Sequence, residues 1–170
     1  MEQKTTNPKI EDIIPLYLNS DMEKAALDFV MYMRSNKISP SFVSIDSWKA
    51  SNKGKCICYI GLGEKHWDII PHLYHLHKYK QIVINEGLQF IIWDNLFHCV
   101  KCNPRCSCDM KMTILGKKFV DICKGRAPIH CYSPNNATIH GIKRLLELEK
   151  EARADGSKSP FNHVSQYNDI

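Results

Sequence analysis

Residues 98–109, with the sequence HCVKCNPRCSCD, contain the densest group of metal-binding side chains in the chain. The four cysteines of this segment, Cys99, Cys102, Cys106 and Cys108, follow the spacing C-x2-C-x3-C-x-C. Four thiolates can hold one zinc ion in a tetrahedral site, with each sulfur about 2.3 Å from the metal. The spacing therefore predicts a structural zinc site, because four protein ligands leave no coordination position for a substrate.

The geometry of this site depends on the helix that is predicted before it. If that helix continues for one more turn, Cys99 and Cys102 lie three residues apart on one face, with their sulfur atoms side by side. Pro104 then ends the helix, and the last two cysteines approach from the returning chain. His98 and Cys123 are alternative ligands that could replace one of the four.

Other chemistry fits the same cysteines less well. An iron–sulfur cluster is an alternative cofactor, although the spacing matches neither common ferredoxin pattern. A redox pair, or reduced thiols along a loop, also remains open. Zinc ribbons usually separate their cysteine pairs by about a dozen residues or more, whereas only three residues separate Cys102 from Cys106.

The segment 99–131 carries the excess positive charge of the chain. It contains seven basic and two acidic residues, and the whole chain has a net charge of +5. Such a segment attracts nucleic acid or another anion, but the same cations would also offset the charge of about −2 on zinc with four thiolates. Because Phe119 is the only aromatic residue between Cys99 and Cys131, base stacking has little support, and nucleic-acid binding is the less favoured use.

The composition is that of a folded globular protein, with 44% apolar and 24% charged residues. The N-terminal residues lack the apolar stretch of a secretory signal, and no apolar run approaches the ~20 residues that span a bilayer. The sequence therefore predicts a cytoplasmic protein without a membrane segment. In that compartment the thiols stay reduced, which favours metal binding over structural disulfides.

A helix is predicted from Ser20 to Asn36. Ser20 and Glu23 have the spacing of a capping box, and an apolar stripe that includes Ala25, Phe29 and Met33 recurs every three or four residues behind them. This stripe is expected to form part of the core.

Three extended segments follow at 42–50, 55–62 and 66–70, and the sequence SNKG at 51–54 is a strong turn signal between the first two. These segments predict an antiparallel meander. Their bulkiest aromatic residues are Trp48, Tyr59 and Trp67. A core position is favoured for these three residues, and a ligand pocket is the alternative.

The second half of the chain is predicted to contain a helix from Glu86 to Phe97, a strand from Met110 to Leu115, and a last helix that begins near Ser133. The histidines of HLYHLHKYK, His72, His75 and His77, are interpreted as part of a solvated surface. No carboxylate near them completes a hydrolytic zinc motif.

The predicted fold is α+β, with an antiparallel meander packed against an N-terminal, a middle and a C-terminal helix. Residues 1–19 are predicted to be an N-terminal extension, residues 20–154 a single domain, and residues 155–170 a loose polar tail.

Three stretches resemble a group of small uncharacterised bacterial proteins of the Firmicutes type that carry a cysteine cluster. The stretches are SWKASNKGKCICYI with the following HWDI, the C-x2-C pair, and MTILGKKFVDIC. The hairpin with its Gly-Lys turn is also similar, more distantly, to the YdhG-like fold group. The resemblance covers residues 20–154 and implies a compact α+β domain of the kind that in some cases binds a small ligand. It implies no catalytic residue.

The sequence thus favours a small-ligand-binding or regulatory module with a structural zinc site. A metal-dependent enzyme that uses the same cluster, with His98 or a water at an open position, is the first alternative. A nucleic-acid-binding protein that uses the segment 99–131 is the second. The sequence predicts neither the ligand nor the oligomeric state.

Overall fold

A computed structural model describes residues 7–99, 111–122 and 128–154. Within these residues the predicted α+β fold is confirmed, with an antiparallel sheet in meander order and helices at the N-terminal, middle and C-terminal positions. The chain divides into two compact units, Met1–Ile69 with Tyr132–Asn136, and Ile70–Cys131 with Ala137–Ile170. The range 20–154, which the sequence predicts to be one domain, contributes to both units. The predicted tail at 155–170 lies outside the described residues.

The elements are numbered in chain order. The helices are α1 (Ile10–Tyr17), α2 (Ser20–Ser35), α3 (Leu76–Asn85), α4 (Gln89–Asp94) and α5 (Asn136–Ala154). The strands are β1 (Ser39–Ser44), β2 (Ser47–Asn52), β3 (Lys55–Gly63), β4 (His66–Pro71), β5 (Met112–Ile114), β6 (Lys117–Phe119) and β7 (Cys131–Tyr132). The main sheet has the order β1-β2-β3-β4-β7, and β5 and β6 form a separate hairpin.

Helix α2 forms the core of the first unit together with the sheet, as its apolar stripe predicts. The Phe29 side chain is 0% exposed, and its ring centroid lies 5.9 Å from that of Trp67 on β4. One turn later the Met33 sulfur lies 4.0 Å from the thiol of Cys58 on β3. The predicted cap is wrong by one residue, because Asn19 is the N-cap and its side chain accepts the N–H of Met22 at 3.5 Å.

The first hairpin differs from its prediction. The segment 42–50, predicted to be one strand, contains a reversal between β1 and β2, which pair antiparallel. This turn has no glycine or proline, and polar contacts stabilise it instead. The Ser44 hydroxyl donates to the Asp46 carboxylate at 2.5 Å, and the Asp46 carbonyl accepts the N–H of Leu62 at 2.8 Å. The next turn matches its signal, because Lys53 and Gly54 have φ of 48° and 77°, the left-handed pair that a tight hairpin requires.

Helix α1 lies within the residues predicted to be an N-terminal extension, and it packs against α2. Ile10 and Ile14 are buried. The guanidinium of Arg34 donates two hydrogen bonds to the Glu11 carboxylate, one of them from Nη2 to Oε2 at 3.0 Å. The hydrogen bonds from Arg34 lower the pKa of Glu11.

In the second unit, a glycine divides the helical region that the sequence predicts to continue from Glu86 to Phe97. Gly87 has a φ of 72° and follows the end of α3. The N–H of Gly87 bonds to the carbonyl of Ile84 at 3.2 Å, and the N–H of Leu88 bonds to that of Val83 at 2.9 Å. This is the Schellman arrangement that ends helices at a left-handed residue. Helix α4 begins two residues later, at Gln89, and ends at Asp94.

Helix α5 packs along both α3 and α4. A Cβ atom on Gly141 would lie 2.5 Å from Cδ1 of Ile91, so the absence of a side chain at this position allows α4 to approach α5 closely. One turn further on, Arg144 donates two hydrogen bonds, of 2.9 and 2.8 Å, to the carboxylate of Glu86 at the end of α3.

The buried position of Phe29 in the core of the first unit predicts a loss of stability when this residue is replaced. Replacement of Phe29 by alanine should lower the free energy of unfolding by about 3–5 kcal/mol, because the ring is fully buried between α2 and β4. Urea denaturation measures this loss. Met31 on the same helix is 63% exposed, and Met31→Ala should change stability by less than about 0.5 kcal/mol. A loss below about 1 kcal/mol for Phe29→Ala would mean that the stripe does not form the core.

The contact between α1 and α2 predicts a pH dependence. Glu11→Gln should lower the stability by about 0.2–1 kcal/mol at neutral pH, since the ion pair is largely solvated. A carboxyl group with a lowered pKa stabilises the folded state above its unfolded pKa and loses this contribution as pH falls through its folded pKa. The difference between wild type and variant in urea denaturation should therefore shrink as the pH falls through the lowered pKa of Glu11, and vanish in acid once the carboxyl group is protonated in both states. A difference that persists there would come from packing and not from charge.

Candidate functional site

The chain before the cysteine-rich segment is extended and held by backbone hydrogen bonds. His98 forms an antiparallel bridge with Ile122, and the N–H of Cys99 donates to the carbonyl of Asp121 at 2.6 Å. Leu96 forms a second bridge, with Ile129. Cys99 itself is half-buried. The first predicted zinc ligand therefore stands on a defined backbone beside residues 121 and 122.

The helical geometry expected for the first cysteine pair is wrong. Helix α4 ends at Asp94, and the chain at Cys99 pairs as an extended strand, so the two cysteines cannot share a face of a continuing helix. Cys102, the other member of the pair, lies outside the described residues.

The other predicted ligands also lie outside the described residues, Cys106 and Cys108 in the range 100–110 and Cys123 in the range 123–127. In the part of the chain that the structure does describe, no three His, Cys, Asp or Glu side chains converge as a metal site would require. The predicted zinc site and its iron–sulfur alternative therefore stay predictions.

The three aromatic residues considered for a ligand pocket do not share one face of the sheet. Trp48 pairs with Ile60 and is 1% exposed. Trp67 is 1% exposed and contacts Phe29 of α2. Tyr59 pairs with Lys49, and because side chains alternate along a strand, it lies on the face opposite to Trp48. The two tryptophans thus belong to the core that α2 covers.

The histidine segment is not a solvated surface throughout, and this interpretation is wrong for His75. The His75 residue is only 6% exposed, and Glu149 on α5 is 0% exposed. Nδ1 of His75 lies 2.9 Å from Oε1 of Glu149. A fully buried glutamate is rare unless it is paired, so the surroundings of this carboxylate determine what it can do.

Four donors surround the Glu149 carboxylate. Oε1 accepts hydrogen bonds from His75 Nδ1 at 2.9 Å and from Arg153 Nε at 2.7 Å. Oε2 accepts from the backbone N–H of His75 at 3.0 Å and from the hydroxyl of Tyr79 at 2.8 Å. A carboxylate has about four acceptor positions, and here all of them are used.

This saturation identifies Glu149 as an anchor and not as a general base. A general base needs an acceptor position for the incoming proton, and each oxygen of Glu149 already accepts two hydrogen bonds. His75 is the N-cap of α3, so the carboxylate also satisfies an N–H at the positive end of that helix. Desolvation, followed by the neighbouring His75 and Lys78, lowers the pKa of the nearby His77.

The sequence contains one signal for this anchor. Glu149 continues the apolar spacing of α5, after Leu145 and Leu146, where a charged residue faces the core. A glutamate at such a position indicates a buried partner. The partner could not be identified locally, because His75 is 74 residues away in the chain.

A surface of the second unit combines aromatic rings with a lysine. The indole of Trp93 lies between two phenylalanines, with ring centroids 5.4 Å from Phe90 and 6.4 Å from Phe119. The ammonium group of Lys117 lies 5.1 Å from the Trp93 ring centroid and 5.2 Å from that of Phe119. Together with Val120, which is 54% exposed, we call these residues the aromatic–lysine surface.

Comparison with known proteins finds no relative of this chain. No protein-family model matches the chain, and no curated protein or solved structure matches it. The resemblance to small bacterial proteins therefore stays a prediction. None of the described helices has the length and apolar character needed to cross a bilayer.

The buried anchor makes a stability prediction. Glu149→Gln should cost about 3–5 kcal/mol, because an amide cannot accept from four donors and leaves the Arg153 charge uncompensated. Adding Arg153→Met in the same chain should recover part of that loss, since the remaining buried charge is then removed. Chemical denaturation of the three proteins measures both effects.

The matched control is Glu147 on the same helix, whose side chain is 37% exposed and lies 3.6 Å from Arg144. Glu147→Gln should cost less than about 1 kcal/mol. Equal losses of stability in Glu149→Gln and Glu147→Gln would show that the Glu149 carboxylate does not hold α3 and α5 together.

Proposed function

We propose that this chain is a small-ligand-binding or regulatory α+β module whose segment 98–109 holds a structural zinc ion. The zinc ligands in this proposal are Cys99, Cys102, Cys106 and Cys108. The observation that carries the proposal is the fixed backbone at Cys99, whose N–H bonds to Asp121 at 2.6 Å beside the bridge from His98 to Ile122. A metal site is more stable when its ligands start from an ordered backbone.

The composition of the segment supports a metal that stabilises local structure. Residues 100–110 contain few apolar side chains, essentially Val100 and Met110, so burial of apolar area contributes little to their order. Zinc binding can supply that free energy, as it does in small metal-dependent folds. A cytoplasmic location, which is part of the proposal, would keep the thiols reduced and available to the metal.

The position of His98 favours ligation by cysteines alone. His98 is exposed, and neighbouring residues of an extended chain point to opposite faces. His98 and Cys99 therefore do not direct their side chains toward one ion. This arrangement supports the structural site over the metal-dependent enzyme, which needs His98 or a water at an open position.

The ligand-binding part of the proposal rests on the resemblance of residues 20–154 to small bacterial α+β proteins. The two buried tryptophans lie in the core of the first unit, so a ligand of that unit would contact Tyr59 on the other face of the sheet. Regulation by metal occupancy is the form of this function that the thiol-rich segment supports most directly.

The zinc proposal predicts a split between cysteine variants. Cys102→Ser and Cys106→Ser should each release most of the zinc and lower the melting temperature, while the far-ultraviolet circular dichroism stays that of a folded chain. We expect the chain to stay folded because the cores around Phe29 and Glu149 are built by α2, the main sheet, α3 and α5. Elemental analysis and thermal melting measure the two effects.

Cys56 on β3 is the control, because its thiol contacts the carbonyl of Cys58 within the strand. Cys56→Ser should keep its full metal content. His98→Ala should also keep it, and loss of zinc from that variant would instead identify His98 as a ligand. Full metal content and unchanged melting in both Cys102→Ser and Cys106→Ser would contradict the site.

A further inference from the structure

The fold supplies the aromatic residues that the basic segment lacks in sequence. Between residues 99 and 131 only Phe119 is aromatic, but α4 brings Phe90 and Trp93 beside it. The β5–β6 hairpin supplies Lys117 to the same surface. The folded second unit therefore offers aromatic rings for base stacking that the linear segment lacks.

The middle ring of the aromatic–lysine surface is held in place. The indole Nε1 of Trp93 donates to the carbonyl of Ile114 at 2.9 Å, which fixes the ring against β5. Phe90 meets Trp93 nearly edge to face, with an interplanar angle of 86°, and the Phe90 side chain remains 57% exposed. A rigid aromatic pair with one exposed member can accept a flat partner with little loss of its own conformational entropy.

The charges around these rings favour an anionic partner. Among the described residues, Lys111, Lys117 and Lys118 are exposed on or beside the β5–β6 hairpin. Asp94 at the end of α4 and Asp121 after β6 are exposed acidic residues of the same unit. Lys117 already lies over two rings, so a phosphate that approaches it would also approach the aromatic faces.

We propose that the aromatic–lysine surface binds single-stranded nucleic acid, with a base stacked on Phe90 and phosphates near Lys117 and Lys118. Exposed aromatic rings combined with lysines are the features with which proteins bind single strands without sequence preference. In a duplex the base faces are already stacked on one another, so this surface should prefer single strands. An acidic peptide would satisfy the lysines, but its aspartate and glutamate side chains offer no aromatic face to stack on Phe90.

The test uses the full chain and fluorescence anisotropy of labelled RNA and DNA strands of about 15 nucleotides, at several salt concentrations. We expect single strands to bind more tightly than a duplex of the same sequence. Phe90→Ala should weaken binding by about 10-fold, which is within the range for loss of one stacked base. Lys118→Gln should weaken binding and reduce the salt slope by about 0.7.

Tyr132 is the matched control, because it is an aromatic residue, 61% exposed, that is not part of the aromatic–lysine surface. Tyr132→Ala should keep the wild-type affinity. Circular dichroism of Phe90→Ala should be unchanged, since that side chain is largely solvated.

Three results would overturn the inference. The first is no binding of any strand at low salt. The second is equal affinity for duplex and single strand, which would indicate phosphate attraction alone. The third is an equal loss of affinity in Phe90→Ala and Tyr132→Ala. The inference does not rest on the zinc proposal, because the residues Phe90, Trp93, Lys117 and Phe119 are not among the zinc ligands, so the two can fail separately.

Discussion

The buried carboxylate of Glu149 is the constraint on which the second unit depends. A carboxylate that is fully shielded from water costs several kcal/mol unless donors replace its hydration. Helix α3 supplies the backbone N–H and imidazole of His75 and the hydroxyl of Tyr79, and α5 supplies Arg153. These donors must all be in place together, so the start of α3 and the last turns of α5 have one favourable arrangement.

Helix α5 also fixes the positions of the end of α3 and of α4. Arg144 bonds to Glu86 at the end of α3, and Gly141 lets Ile91 of α4 lie directly against the α5 backbone. The direction of α4 then determines where Trp93 stands and where the extended residues 96–99 begin. Both proposed functional regions, the thiol-rich segment and the aromatic–lysine surface, follow from this placement of α4 within the second unit.

The two proposals draw on one set of cations. Lysines beside four zinc-bound thiolates reduce the repulsion within that anionic cluster, and the same lysines attract phosphates. A zinc site would neutralise part of the positive charge of the segment 99–131, so the occupancy of the metal site would change how strongly the second unit attracts an anionic strand. If both proposals hold, metal binding and strand binding would be coupled through electrostatics even though their contact residues differ.

Sequence patterns predict the elements that are stabilised by residues close to one another in the chain. The apolar stripe of α2 can be predicted from its helical spacing, and the turn at Lys53 and Gly54 from its turn residues, because both are patterns of neighbouring residues in the sequence. The turn at Asp46 was missed because side-chain hydrogen bonds replace the usual glycine or proline. The helix predicted from Glu86 to Phe97 includes Gly87, but the positive φ of this residue ends α3.

The candidate functional features depend on contacts between distant residues, and single-sequence patterns do not contain them. His75 and Glu149 are separated by 74 residues, and Trp93 meets Phe119 across two elements. The cysteine spacing predicts a metal site, but the helical geometry expected for its first pair is wrong, because α4 ends at Asp94 and the chain at His98 is extended. The sequence therefore predicts which side chains could bind a metal, but the geometry that it predicts for the first cysteine pair is wrong.

Metal and thiol analysis of the untagged chain, purified without oxygen, tests the central claim of a zinc-stabilised segment most directly. The account predicts about one zinc and no iron per chain, with about four of the eight thiols protected from a thiol reagent until a chelator removes the metal. A metal-free chain in which all eight thiols react at once under native conditions would contradict it.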